Sequence, residues 1–170
     1  MYDYLSNTIV FEALKSRQSK EMATAFQKCC KKLKILPSNN NMFILNNECL
    51  TDIKNTIQLY NADFQLVPPH QHRRNAAEKA IKTVKNHLLS GLATCHKNFP
   101  ITELDRILPQ AEVTLNLLRN CRIQPHLLAW AYLNGMYDFT KNPMAPPGSK
   151  ILIYQKPANR ASWAFHGIQG

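Results

Sequence analysis

Apolar and polar positions alternate along the chain in blocks whose period switches between two residues and about 3.6, the periods of strands and helices. Tyr2-Asp3-Tyr4 has the pattern of a strand end and Ser6-Asn7 that of a turn. The β-branched and aromatic run from Thr8 to Leu14 comes next as a second strand, so a hairpin is entered part-way through. Ser19 is placed to cap a helix reaching about Leu33, with Met22, Phe26, Cys29 or Cys30, and Leu33 on one stripe. Pro37 to Asn41 has loop composition, and Met42 to Leu45 is a short buried strand. Thr51 then caps a helix carrying Ile53, Ile57 and Tyr60 on one side. Phe64 to Val67 is a further buried strand, ended by Pro68-Pro69, which cannot continue a ladder. A long basic helix from about Asn75 to Cys95 carries the stripe Ala77, Ile81, Val84, Leu88 and Leu92.

Beyond it, Thr102-x-x-Asp105 has capping-box spacing and starts another helix, which Pro109 should kink or split. Ala111, Leu115 and Leu118 continue its apolar face. Pro125 opens a helix whose core, His126 to Leu133, is apolar nearly all round and is expected to be buried, and Gly135 ends it. Asn142 to Gly148 reads as a linker, Lys150 to Tyr154 as a last strand, and the remainder as a tail. Strands alternating with helices after an opening hairpin predict an α/β layered fold. The predicted division is a core over residues 1–140 and a linker, strand and tail over 141–170.

Charge narrows the partners. There are 21 basic against 11 acidic residues, a net +10, which favours a polyanion such as nucleic acid. Lys28, Lys31, Lys32 and Lys34 crowd the end of their helix, where the dipole accounts for them without a binding role. No apolar run approaches the roughly 18 residues of a spanning helix, and Met1-Tyr2-Asp3-Tyr4 does not open a signal peptide. The five cysteines are odd in number and show no Cys-x-x-Cys pair. A reducing compartment, cytoplasmic or nuclear, is the expectation, with no membrane partner.

The candidate chemistry lies between Met42 and Leu89. Glu78, Lys82 and Lys85 share one face of the long helix, with Arg73 and Arg74 just before it. One reading is a solvated face with Glu–Lys support worth about 0.2–0.5 kcal/mol. The other is a carboxylate metal ligand flanked by phosphate contacts. A two-metal site needs several carboxylates, yet the strand ending at Leu45 is followed by Asn46, an amide. Glu48 and Asp52 are displaced along the chain from that position. His70, His72, His87, Cys95 and His96 match no standard zinc spacing, and nothing marks an activated thiol.

Ile44-Leu45-Asn46-Asn47-Glu48, followed by Pro68-Pro69-His70-x-His72-Arg73-Arg74-Asn75-Ala76-Ala77-Glu78, resembles the catalytic core of retrotransposon integrases, closest to the copia-type Pol polyproteins. The stretches Leu115 to Asn120 and Lys156-Pro157-x-x-Arg160-x-x-Trp163 are similar to the segments downstream of such cores. The resemblance implies the retroviral-integrase superfamily and an RNase H-like mixed sheet with flanking helices. It implies an Asp-Asp-Glu set, Mg²⁺ or Mn²⁺ as cofactor, DNA and intact integrase subunits as partners, and no small-molecule substrate. Asn46 stands at the second Asp and Glu78 at the Glu, the one remaining metal ligand. Arg73, Arg74, Lys82 and Lys85 become DNA contacts. The family's first Asp lies on a central strand upstream of the hairpin, and Asp3 does not correspond to it. The expectation is therefore a truncated, catalytically defective core. The alternatives are a non-catalytic basic nucleic-acid-binding or assembly module, or a functionless pseudogene product. Without that strand the Met42 to Leu45 strand exposes an edge, so marginal stability or aggregation is expected.

Overall fold

The computed structural model describes residues 1–37, 41–46, 49–68, 76–95, 99–146, 149, 151–165 and 167–169. In chain order they form α1 (Ser19–Lys32), β1 (Met42–Leu45), α2 (Thr51–Leu59), β2 (Asp63–Leu66), α3 (Ala76–Thr94), α4 (Leu104–Leu117), α5 (Ala129–Asn134), β3 (Leu152–Tyr154) and β4 (Gly167–Gln169). The architecture is α/β, as the alternation of periods predicts.

β1 and β2 pair in parallel, Met42 opposite Asp63 and Leu45 opposite Leu66, with α2 as the crossover. Two bonds extend the pairing beyond the strands: Asp63 N–H donates to Asn41 O at 3.0 Å and Val67 N–H to Leu45 O at 2.9 Å. Phe43 faces α1, its ring centroid 5.3 Å from that of Phe26. Met42 and Ile44 lie on the other face, each 60% exposed. Among the described residues β1 has β2 as its sole ladder partner, so its other edge is open. α1 packs on α2, and the Ser19 hydroxyl donates to the Asp52 carboxylate between them. Cys29 and Leu33 of this α1 region pack with Val10, flanked by Met1, Ile35 and Leu133. Ile57 of α2 is fully buried.

The opening hairpin is smaller than its composition suggests. A single antiparallel bridge joins Tyr2 to Ile9, and no ladder continues to Leu14. Side chains of α4 take the place of a neighbouring strand. The buried Asn116 accepts Ile9 N–H at 2.9 Å and donates to Ile9 O at 2.8 Å, and Glu112 accepts Phe11 N–H at 3.0 Å. Lys28 and Lys32 tie α1 to the same segment through Glu12 at 2.7 and 3.4 Å, and Lys32 also reaches Glu112 at 3.0 Å. Lys28 and Lys32 thus have carboxylate partners within the fold, in addition to the helix-dipole role expected from sequence.

Several local expectations are corrected. Ser19 and Thr51 are first helical residues, with Gln18 and Leu50 at the cap positions, and neither helix has a side-chain cap bond. Thr102 sits in the 3₁₀ turn Ile101–Glu103, so no capping box forms. Pro109 lies inside a continuous α4. The N–H it lacks would have met the carbonyl of Asp105, in an exposed first turn where water can replace it. Leu118 comes after the end of α4 and points outward. α5 begins only at Ala129, because residues 119–129 close on themselves: Cys121 N–H donates to Leu127 O at 2.9 Å and Ala129 N–H to Arg119 O at 2.7 Å. Only Ala129 of α5 is buried, and Tyr132 is exposed. Gly135 ends α5 at φ +80°, as expected. The expected last strand is β3, and the tail supplies it with an antiparallel partner, β4. Gln110 of α4 donates to Ala145 O, so the segment expected as a linker lies on that helix. No helix among the described residues is long and apolar enough to cross a membrane.

Candidate nucleic-acid interface

Parallel pairing puts the carboxyl ends of β1 and β2 side by side. Asn46 is the residue that leaves β1, and it is exposed. Glu78 lies in the first turn of α3, the helix after β2, and is half-buried. Arg73, Arg74, Glu48, His70, His72 and His96 lie outside the described residues. Of the predicted DNA contacts, Lys82 and Lys85 are described, and both are exposed.

The orientation of α3 decides which residues face outward. Ala80 is its one buried residue, while Ile81 is 54% exposed. The inner face therefore runs through Ala80, Val84, Leu88 and Gly91, about half a residue round from the stripe expected around Ile81, with which it shares Val84 and Leu88. At about 100° per residue, Glu78, Lys82 and Lys85 all fall roughly opposite Ala80. The corrected orientation thus preserves the shared face of these three residues and directs it away from α4, against which α3 packs.

The donor set is thin for a metal. No group of three or more His, Cys, Asp or Glu side chains among the described residues could hold an ion. Asp52 is engaged by Ser19 at the α1–α2 contact. One carboxylate and one amide do not match the oxygen-rich, strongly anionic set that two divalent ions require. Three of the thiols are held in the protonated form. Burial, with the neighbouring Cys29, pushes the Cys30 thiol up to about 12, and burial also raises Cys29 and Cys49. The Cys95 thiol contacts Gly91 O at 3.3 Å.

His87 faces a different feature, a largely apolar cleft of about 410 Å³ between α3 and α4, closed on one side by Met144 to Pro146. No carboxylate lines it. Sequence reasoning missed another basic surface, where Arg119 and Arg122 meet Tyr2 and Tyr4. Its parts lie up to 120 residues apart, so no local spacing could have signalled it. No family model matches the chain, and no curated protein matches its sequence.

Proposed function

We propose that this chain is an integrase-type core of RNase H-like ancestry from an LTR retrotransposon Pol polyprotein, retaining DNA contact without a complete metal site. The observation that supports the reading is the β1–α2–β2 unit. Its strands are parallel, Asn46 leaves the first of them, and Glu78 opens the helix after the second. In open α/β sheets the crevice beyond the strand carboxyl ends is where ligands bind. The resemblance would bring the second Asp position and the Glu together at that end. With Asn46 in place of a carboxylate, the described residues do not fit Mg²⁺ or Mn²⁺ as a catalytic pair, and no strand-transfer step is assigned to them.

DNA contact is the remaining activity. Lys82 and Lys85 offer ammonium groups on the outer face of α3, and Arg73 and Arg74 precede it in sequence. Intact integrase subunits are the proposed assembly partners. If these four residues neutralise four phosphates, log K for duplex DNA should fall against log salt with a slope near −3.6. Replacing Lys82 and Lys85 together by alanine should reduce that slope by about 1.8. An affinity independent of salt, or an unchanged slope in the double variant, would overturn the assignment. A non-catalytic nucleic-acid module with no integrase ancestry predicts the same slope. Calorimetry with Mg²⁺ separates the two, because binding abolished by Glu78→Gln belongs to a remnant metal site alone.

A further inference from the structure

We propose a second nucleic-acid contact, specific for single strands, on the surface formed by Tyr4 and Arg122. It is separate from the α3 face and does not depend on the integrase reading. The Arg122 guanidinium lies over the Tyr4 ring, 4.0 Å from its centroid, and Nη2 donates to the Tyr2 hydroxyl at 2.9 Å. Arg122 N–H also donates to Leu5 O at 3.2 Å, which ties the loop after α4 to the hairpin turn.

Behind this pair stands a fixed support. Arg119 donates through Nε to Asn7 O at 3.0 Å and through Nη2 to Asn7 Oδ1, with its guanidinium 5.7 Å from the Tyr2 ring centroid. Asn7 Nδ2 in turn donates to Asn120 O at 2.9 Å. Arg119 is thus committed to the scaffold, whereas Arg122 is exposed and Tyr4 is 58% exposed.

Two features favour a single-stranded nucleic acid. First, the carboxylate beside Tyr4, Asp3, accepts Ser6 N–H at 2.9 Å, and neither arginine forms an ion pair among the described residues. Arg122 keeps most of its fork of donors for an external anion. Second, an aromatic ring stacked with a guanidinium presents flat π surface beside phosphate-binding donors. That combination accepts an unstacked base and its backbone together, which a closed duplex does not offer. An acidic peptide would use the donors but not the ring.

The test is fluorescence anisotropy with the whole 170-residue chain, labelled oligo(dT) as probe, and a labelled duplex in the same buffer. Tyr4→Ala and Arg122→Ala should each weaken oligo(dT) binding about tenfold. Tyr4→Phe should keep wild-type affinity. Arg122→Lys should lose as much as Arg122→Ala, because a lysine brings charge without a planar fork. Duplex affinity should stay unchanged in all four and fall instead with the α3 lysines, so the two sites fail independently. Should Tyr4→Ala lower the melting temperature, Tyr4→Leu retains apolar bulk without a ring and should show the same tenfold loss. Unchanged oligo(dT) affinity in a folded Tyr4→Ala or Tyr4→Leu protein overturns the proposal. So does equal loss in Tyr4→Phe, or displacement of oligo(dT) by poly-glutamate as effectively as by unlabelled oligo(dT).

Discussion

Asn116 does what a β-strand would otherwise do for the opening hairpin, presenting one acceptor and one donor to the two backbone groups of Ile9. It is 2% exposed, so water cannot replace either bond without opening the contact. Asn116→Leu should therefore lower the free energy of unfolding by about 3 kcal/mol, measured by denaturant titration. A loss within about 0.5 kcal/mol would mean that Ile9 finds other partners. Glu12 supplies a pH-dependent counterpart. The Lys28 hydrogen bond holds its carboxyl below the ordinary glutamate range against the opposing effect of burial, and Lys32 adds to the lowering. A lowered folded value means that the stabilisation is complete above the unfolded value, about 4.3, and is lost as the pH falls through the folded one. The melting temperature should drop on acidification below about pH 4.3, and Glu12→Gln should flatten that part of the profile. Exposure of both lysines keeps the effect modest.

The orientation of α3 controls which of its residues touch DNA and which touch α4, and two substitutions test it. Ala80→Leu overfills a buried position and should cost about 1–3 kcal/mol. Ile81→Ala, at an exposed one, should stay within about 0.5 kcal/mol. The reverse order in thermal melts would restore the stripe expected from sequence. The helices themselves were legible because their stripes are long: α1, α2 and α3 lie within a few residues of their expected spans. So were β1 and β2 as strands, short apolar runs bounded by polar or proline residues, but not their burial: Met42, Ile44 and Leu66 are exposed where buried strands were expected, because one face of this two-stranded pair is left uncovered among the described residues. Capping was not, since Ser19, Thr51 and Thr102 carry the right side chains one or two residues inside the helical turns. The rotation of α3 was hidden by composition, because Ala77, Ala80 and Ile81 compete for one inner position and alanine carries little hydrophobic signal. At the site, Asn46 and Glu78 could be placed at the ends of their elements, but the Tyr4–Arg122 contact depends on long-range packing that no spacing encodes.

For the whole molecule, the open edge of β1 and the outward faces of Met42 and Ile44 leave an apolar strand surface among the described residues. Such surfaces promote edge-to-edge association, and inserting charge on them is a common natural remedy. Ile44→Lys should raise the concentration at which the protein becomes turbid and leave its melting temperature unchanged. A fall in melting temperature would show that this face is covered. The β3–β4 ribbon adds further exposed apolar positions, Leu152 and Tyr154 among them. Ile9 and Asn116 are 107 residues apart in sequence. Closing so long a loop costs more chain entropy than forming the β1–α2–β2 unit within it, and contacts of high sequence separation slow the approach to the native state. Docking of the hairpin on α4 is therefore expected late in folding. Until it docks, the surface that stacks Tyr4 on Arg122 does not exist, whereas the α3 face is carried by one helix. The two basic surfaces thus differ in sequence locality as well as position, and a newly made chain is expected to carry the lysine face before the tyrosine one.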